Sequence, residues 1–163
     1  MLFFTLLTSV FCFPNNKCIN PSKTVLIDLF NTWNKALQSN NPEKVLDLYS
    51  KKSVLLATLE NEPLNTYIKK LHYFEEFLLK NPIGTLITTY TNTDTITPYI
   101  DGTYNFNINV FNDNCAPIKC GNITNICTGN CRIDVKARFT YIYICEERKW
   151  KIQHHHSSKY PNM

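Results

Sequence analysis

The chain reads as an α+β fold, a cone in which a strongly bent antiparallel sheet wraps around two to three N-terminal helices. Two observations predict it. Apolar residues recur at helical spacing in the first half and at period two in the second, giving the order helix, short helix, strand, long helix, four strands. The strand over 134–145 is apolar on both faces, with Val135, Ala137, Phe139, Tyr141, Tyr143 and Cys145 on one and Thr140, Ile142 and Ile144 among the other, so it needs protein against each face.

Taken in order, residues 1–12 form an apolar leader whose length suits a signal peptide and is too short to span a bilayer; the competing reading is a buried N-terminal element. A polar linker, 13–22, follows. Ser22 caps a helix over 23–38 whose stripe is Leu26, Leu29, Phe30, Trp33, Ala36 and Leu37. Asn41-Pro42-Glu43 restarts a short helix with Val45, Leu46, Leu48 and Tyr49 buried, and 53–58 reads as a buried strand. Asn65 or Thr66 caps a third helix ending near residue 80, with Tyr67, Ile68, Leu71, Phe74, Phe77 and Leu78 on one face. Strands are expected over 85–91, 95–100 and 102–111, with Asp94 and Asp101-Gly102 as turns. The last hairpin turns at Glu146-Glu147-Arg148, and its second arm places Trp150, Ile152, His154 and His156 on one side.

The totals bound the function. A chain of 163 residues, 44% hydrophobic and 13% aromatic, is long and apolar enough for one cored domain. A net charge of +4 with lysines and arginines scattered among acids carries no nucleic-acid footprint. The four glycines assemble into no phosphate loop, so no cofactor motif is found. Removing Cys12 with the leader leaves Cys18, Cys115, Cys120, Cys127, Cys131 and Cys145, an even set that flanks the glycosylation sequon at Asn122. Leader, cysteines and sequon together predict a secreted or secretory-lumen glycoprotein with disulfides, the alternative being cytoplasmic. A zinc site is the weaker reading, because the cysteines lack close C-x-x-C pairs.

Several strings carry a resemblance. They are Phe30-Asn31-x-Trp33-Asn34-x-Ala36-Leu37, then Val54-Leu55-Leu56-x-Thr58, then Tyr73-Phe74-x-x-Phe77-Leu78 before Pro82-x-Gly84, and finally Ala137-Arg138-Phe139-Thr140-Tyr141 with His155-His156-Ser157-Ser158-x-x-Pro161. The chain resembles the association (hub) domain of calcium/calmodulin-dependent protein kinase II, within the nuclear transport factor 2-like (SnoaL-like) superfamily, over 23–161 apart from an insertion at 112–132. One departure is Leu64, where relatives commonly carry an arginine.

The resemblance implies a non-catalytic domain that self-associates as a homodimer or larger ring, with a pocket in the cone and no kinase on this chain. Arg138 is the first candidate ligand residue, able to grip a small carboxylate if it faces the helices and otherwise expected in an ion pair with Asp28, Asp47 or Glu75. His156, Trp33, Tyr49 and Tyr104 complete the candidate pocket, with His155 assigned to either pocket or interface. No metal site is expected at His154, His155 and His156, which lack a carboxylate at a helpful position. The runner-up is a small-molecule enzyme of the polyketide cyclase or ketosteroid isomerase type, whose only candidate base set is Asp47, Tyr49 and His156. A third reading is a secreted effector that binds a host protein through the cysteine-rich loop.

Overall fold

The computed structural model describes residues 17–58, 60–93, 96–110 and 131–161. The leader, Asp94, Cys115, Cys120, Cys127 and the Asn122 sequon lie outside the described residues, as does the side chain of Cys131.

Helix α1 spans Lys23–Leu37, with Ser22 accepting from the Val25 amide as its cap. The short α2 spans Pro42–Leu46, with proline in the first turn and Asn41 accepting from the Lys44 amide. Strand β1 is Tyr49–Leu56, longer at its start than its apolar run, and α3 is Tyr67–Leu78 with Thr66 as cap. Strands β2, Ile83–Asn92, β3, Tyr99–Val110, β4, Cys131–Glu146, and β5, Lys149–Lys159, complete the chain. The β4–β5 turn is tight, because Glu147 and Arg148 both take positive φ, 52° and 61°, the conformation a two-residue hairpin loop demands.

The five strands form one sheet in the order β1-β5-β4-β3-β2. It is mixed rather than wholly antiparallel, since β1 runs parallel to β5 while the other three pairings are antiparallel. The early strand returns to the far edge of the hairpin and brings the first half of the chain against the second. Two strands expected over 95–100 and 102–111 are one, β3, so Asp101-Gly102 is no turn. Gly102 serves a bulge instead. Its φ is 149°, and a Cβ built there would lie 1.9 Å from the Thr88 carbonyl oxygen. The β2–β3 register jumps between Leu86 and Thr88 at this point, which bends the sheet.

The concave face holds the core. Phe30 of α1 meets Tyr104, Phe139 and Tyr141, with centroids 6.4, 5.8 and 6.1 Å away. Trp33 meets Phe106 and Tyr141 in edge contacts, and Phe77 of α3 meets Phe106. Each aromatic ring taken out of water contributes about 1.5–3 kcal/mol, so this layer is a large share of the stability. At the hairpin tip Cys18 is bonded to Cys145, with the α-carbons 5.7 Å apart, and Trp150 donates to the Ile19 carbonyl. The linker before α1 is thereby fastened to the end of the sheet, across a sequence separation of 127.

Candidate functional site

A cavity of about 330 Å³ opens between α3, the end of β1, and the concave sides of β3, β4 and β5. Its walls are aromatic and aliphatic, with Trp33, Tyr73, Phe74, Phe77, Phe106 and Ala137 among them. Its charges stand at the rim, where Glu60, Glu76, Lys80 and Lys159 are exposed. The sheet bends at the Gly102 bulge, while Gly84 of β2 stays tied to α1, its amide donating to Asn34 Oδ1 and its carbonyl accepting from Asn34 Nδ2.

The polar groups of the interior form two sets. In one, the Tyr104 hydroxyl donates to Ser157 Oγ at 2.6 Å, and Ser157 Oγ shares a hydrogen bond of 2.7 Å with Thr58 Oγ1. In the other, Trp33 Nε1 donates to the Tyr49 hydroxyl oxygen at 3.2 Å, and that hydroxyl lies 2.7 Å from His155 Nδ1. The two donors order this chain. With Trp33 supplying a hydrogen to the tyrosine oxygen, the tyrosine proton goes to Nδ1, which places the imidazole hydrogen on Nε2. Nε2 has no hydrogen-bond partner among the described residues and is buried.

Burial fixes the charge of this set. His155 is 3% exposed, and desolvation, with smaller contributions from His156 and His154, lowers its pKa to about 3. The ring is neutral at pH 7 and sits in a stack, with Tyr141 4.1 Å away face to face and Trp33 5.3 Å away on edge. Desolvation likewise raises Tyr49, Tyr73 and Tyr104, so all three hydroxyls stay protonated. Beyond the cavity, Lys70 is buried, its ammonium donating to the Ser53 carbonyl and hydroxyl and lying 5.8 Å from the Tyr49 ring centroid. Burial lowers its pKa.

The candidate residues named from sequence divide between the two faces. Trp33 and Tyr104 line the cavity, and Tyr49 stands behind it as the link between Trp33 and His155. Arg138 does not join them. It is exposed on the outer face of β4, opposite Thr103 and Ser158, with its guanidinium 6.0 Å over the Tyr160 ring, and no ion pair to Asp28, Asp47 or Glu75 occurs among the described residues. His156 also lies outside, exposed and paired with Thr140. The cause is a bulge. Ile142 pairs with His154 and Tyr143 with Ile152, so Gln153 is an extra residue that reverses the phase of β5 and turns His155 inward. Asp47 is exposed just past α2, so no Asp47-Tyr49-His156 set assembles. No cluster of metal-ligating side chains occurs among the described residues, and no helix among them is long and apolar enough to cross a membrane.

This geometry belongs to a known kind of protein. No curated protein matches the chain. Among solved structures, one from Xanthomonas campestris that carries the name of a calcium/calmodulin dependent protein kinase II association domain is 32% identical, with a TM-score of 0.69 over 90% of this chain and 94% of that one. More distant structures share the fold alone. A protein from Streptomyces avermitilis described as an NTF2-like dehydratase has 10% identity and a TM-score of 0.64 over 84% of this chain and 96% of that one. A ketosteroid isomerase-like protein from Erwinia carotovora atroseptica has 8% identity and a TM-score of 0.62 over 88% and 100%. The family model described as "Calcium/calmodulin dependent protein kinase II association domain" matches residues 22–161. The chain therefore belongs to the calcium/calmodulin-dependent protein kinase II association-domain family, built on the NTF2-like cone.

Proposed function

We propose that the protein is a non-catalytic assembly module that associates with copies of itself through the outer face of its sheet and keeps a small-molecule pocket in its cone. The outer face carries this reading. On it Val54 and Leu56 of β1, Tyr99 of β3, and Ile142 and Ile144 of β4 are half-buried in the single chain, and pairings set Tyr99 beside Ile142, with His154 on the other side. An apolar band across a sheet face gains by meeting another. Membership of an association-domain family supports a second copy as the partner. Light scattering on the chain from residue 13 onward tests it: a dimer or larger ring is expected at micromolar concentration, and a clean monomer would remove the reading.

The enzyme alternative, of polyketide cyclase or ketosteroid isomerase type, needs an ionisable base deep in the cone. The carboxylates that line the cavity, Glu60 and Glu76, are exposed, and His155 is too weakly basic to take up a proton near neutrality. These observations favour the non-catalytic reading. The effector alternative rests on 112–132, most of which lies outside the described residues. We assign the chain to an oxidising compartment, a reading supported by the Cys18–Cys145 bond. Mass spectrometry of protein from its native source, with thiols blocked at lysis, would find Cys18 and Cys145 unlabelled; labelling of both would contradict the assignment.

A further inference from the structure

The pocket in the cone has a definite ligand chemistry, which rests on the reading of that cavity as a binding site. Three observations bear on it. The buried wall is aromatic and aliphatic, and its charges, two acidic and two basic, stand exposed at the rim. Inside, Tyr104, Ser157 and Thr58 satisfy one another. Among the described residues that line the cavity, His155 Nε2 is the one fully buried side-chain nitrogen or oxygen without a partner, on a ring that is 3% exposed.

The Trp33–Tyr49–His155 chain makes that atom a donor, since the protonated Tyr49 hydroxyl donates to the Nδ1 lone pair and leaves the ring hydrogen on Nε2. A buried N–H without a partner is costly, and a cavity of about 330 Å³ has room for a group that relieves it. A carboxylate would lose its hydration against a wall with no buried cation to replace it. A neutral acceptor loses little. We propose that the cone binds a neutral, mostly apolar molecule that turns one carbonyl or ether oxygen inward to accept from His155 Nε2–H, with its hydrocarbon body against Phe74, Phe77 and Phe106.

The Tyr49 contact makes His155 rigid as well as neutral. Its ring is fixed at Nδ1, stacked on Tyr141 and edge-on to Trp33, so the donor direction is set before a ligand arrives. The remaining titratable groups around the ring agree with this. Tyr49, Tyr104 and Tyr141 are all held protonated by burial and His154 is lowered, while Lys70 lies behind the Tyr49 ring on Ser53, His156 is on the outer face, and Glu60, Glu76, Lys80 and Lys159 stand at the rim. Binding should then be level between pH 5 and 8.

Three naphthalenes of one shape test the proposal by calorimetry: 2-acetylnaphthalene, which is neutral with an acceptor, 2-ethylnaphthalene, which lacks the oxygen, and 2-naphthoate, which is anionic. The ketone should bind about tenfold tighter than either of the others, the scale of one hydrogen bond. In His155→Phe the ketone and the hydrocarbon should bind alike. Should that variant fail to fold, the ¹⁵N resonance of His155 Nε2 in the unaltered protein is an independent readout, and it should move on addition of the ketone and stay still with the hydrocarbon. Equal or tighter binding of the naphthoate, a ketone no better than the hydrocarbon, or no binding of any of the three would overturn the proposal. Light scattering on the same samples separates this from self-association: an oligomer that binds none of the probes loses the pocket chemistry alone, and a monomer that binds the ketone loses the assembly alone.

Discussion

The two faces of β4 come from one stretch of sequence and end differently. Inward, Phe139, Tyr141 and Tyr143 are at most 1% exposed beneath the helices. Outward, Arg138 is exposed and Thr140, Ile142 and Ile144 are half-buried, with no helix among the described residues packed over them. The difference teaches that an apolar strand face is satisfied either by the chain itself or by a partner, and that the arginine marks which. A permanent cation is tolerated where water remains at the edge of an interface, and is excluded from a floor of stacked rings.

Substitutions on the two faces should therefore fail in different ways. The largest loss is expected inside. Phe30→Ala removes a ring 1% exposed and in contact with four aromatic neighbours, at a cost of about 3–5 kcal/mol, measured as a fall in the urea midpoint with an unchanged slope. A loss under about 1 kcal/mol would mean the concave core is not where the stability lies.

Next is the bend that separates the faces. Gly102→Ala places a methyl against the Thr88 carbonyl at a φ of 149°, and a loss of about 1–3 kcal/mol is expected by thermal unfolding. The outer face should behave otherwise. Ile142→Lys with Ile144→Lys should leave unfolding within about 1 kcal/mol for the single chain while abolishing assembly, read as a fall in sedimenting mass.

The last effect is confined to acid. His155 is held near pKa 3 in the folded chain and returns to about 6.5 when unfolded, so the unfolded state binds more protons in acid. Its contribution is complete above about pH 6.5 and is lost as pH falls from there towards 3. His155→Gln should flatten this slope, and an unaltered acid limb would contradict the neutral ring.

Much of this architecture is legible in the amino acids themselves. Ser22, Asn41-Pro42 and Thr66 announce three helix starts by local chemistry, and the alternation around Phe139 and Tyr141 announces a strand with one face in the core. The bulges are not legible. Gly102 next to Asp101 has the composition of a turn, and only the opposing Thr88 carbonyl makes it a bend within a strand. The extra Gln153 reverses β5 and exchanges His156 for His155, because a period of two cannot survive one unpaired residue. Three consecutive histidines give no signal for which turns inward. Arg138 escapes the pattern for a related reason: its strand is apolar on both sides, so alternation alone does not tell the floor of the cone from its outer wall.

The account depends on the outer face being a surface for another copy of the chain, and sedimentation velocity of the unaltered protein beside the Ile142→Lys, Ile144→Lys variant tests that most directly. The predicted result is a dimer or larger species for the first and a folded monomer for the second. Equal sedimentation of the two at micromolar concentration would contradict it.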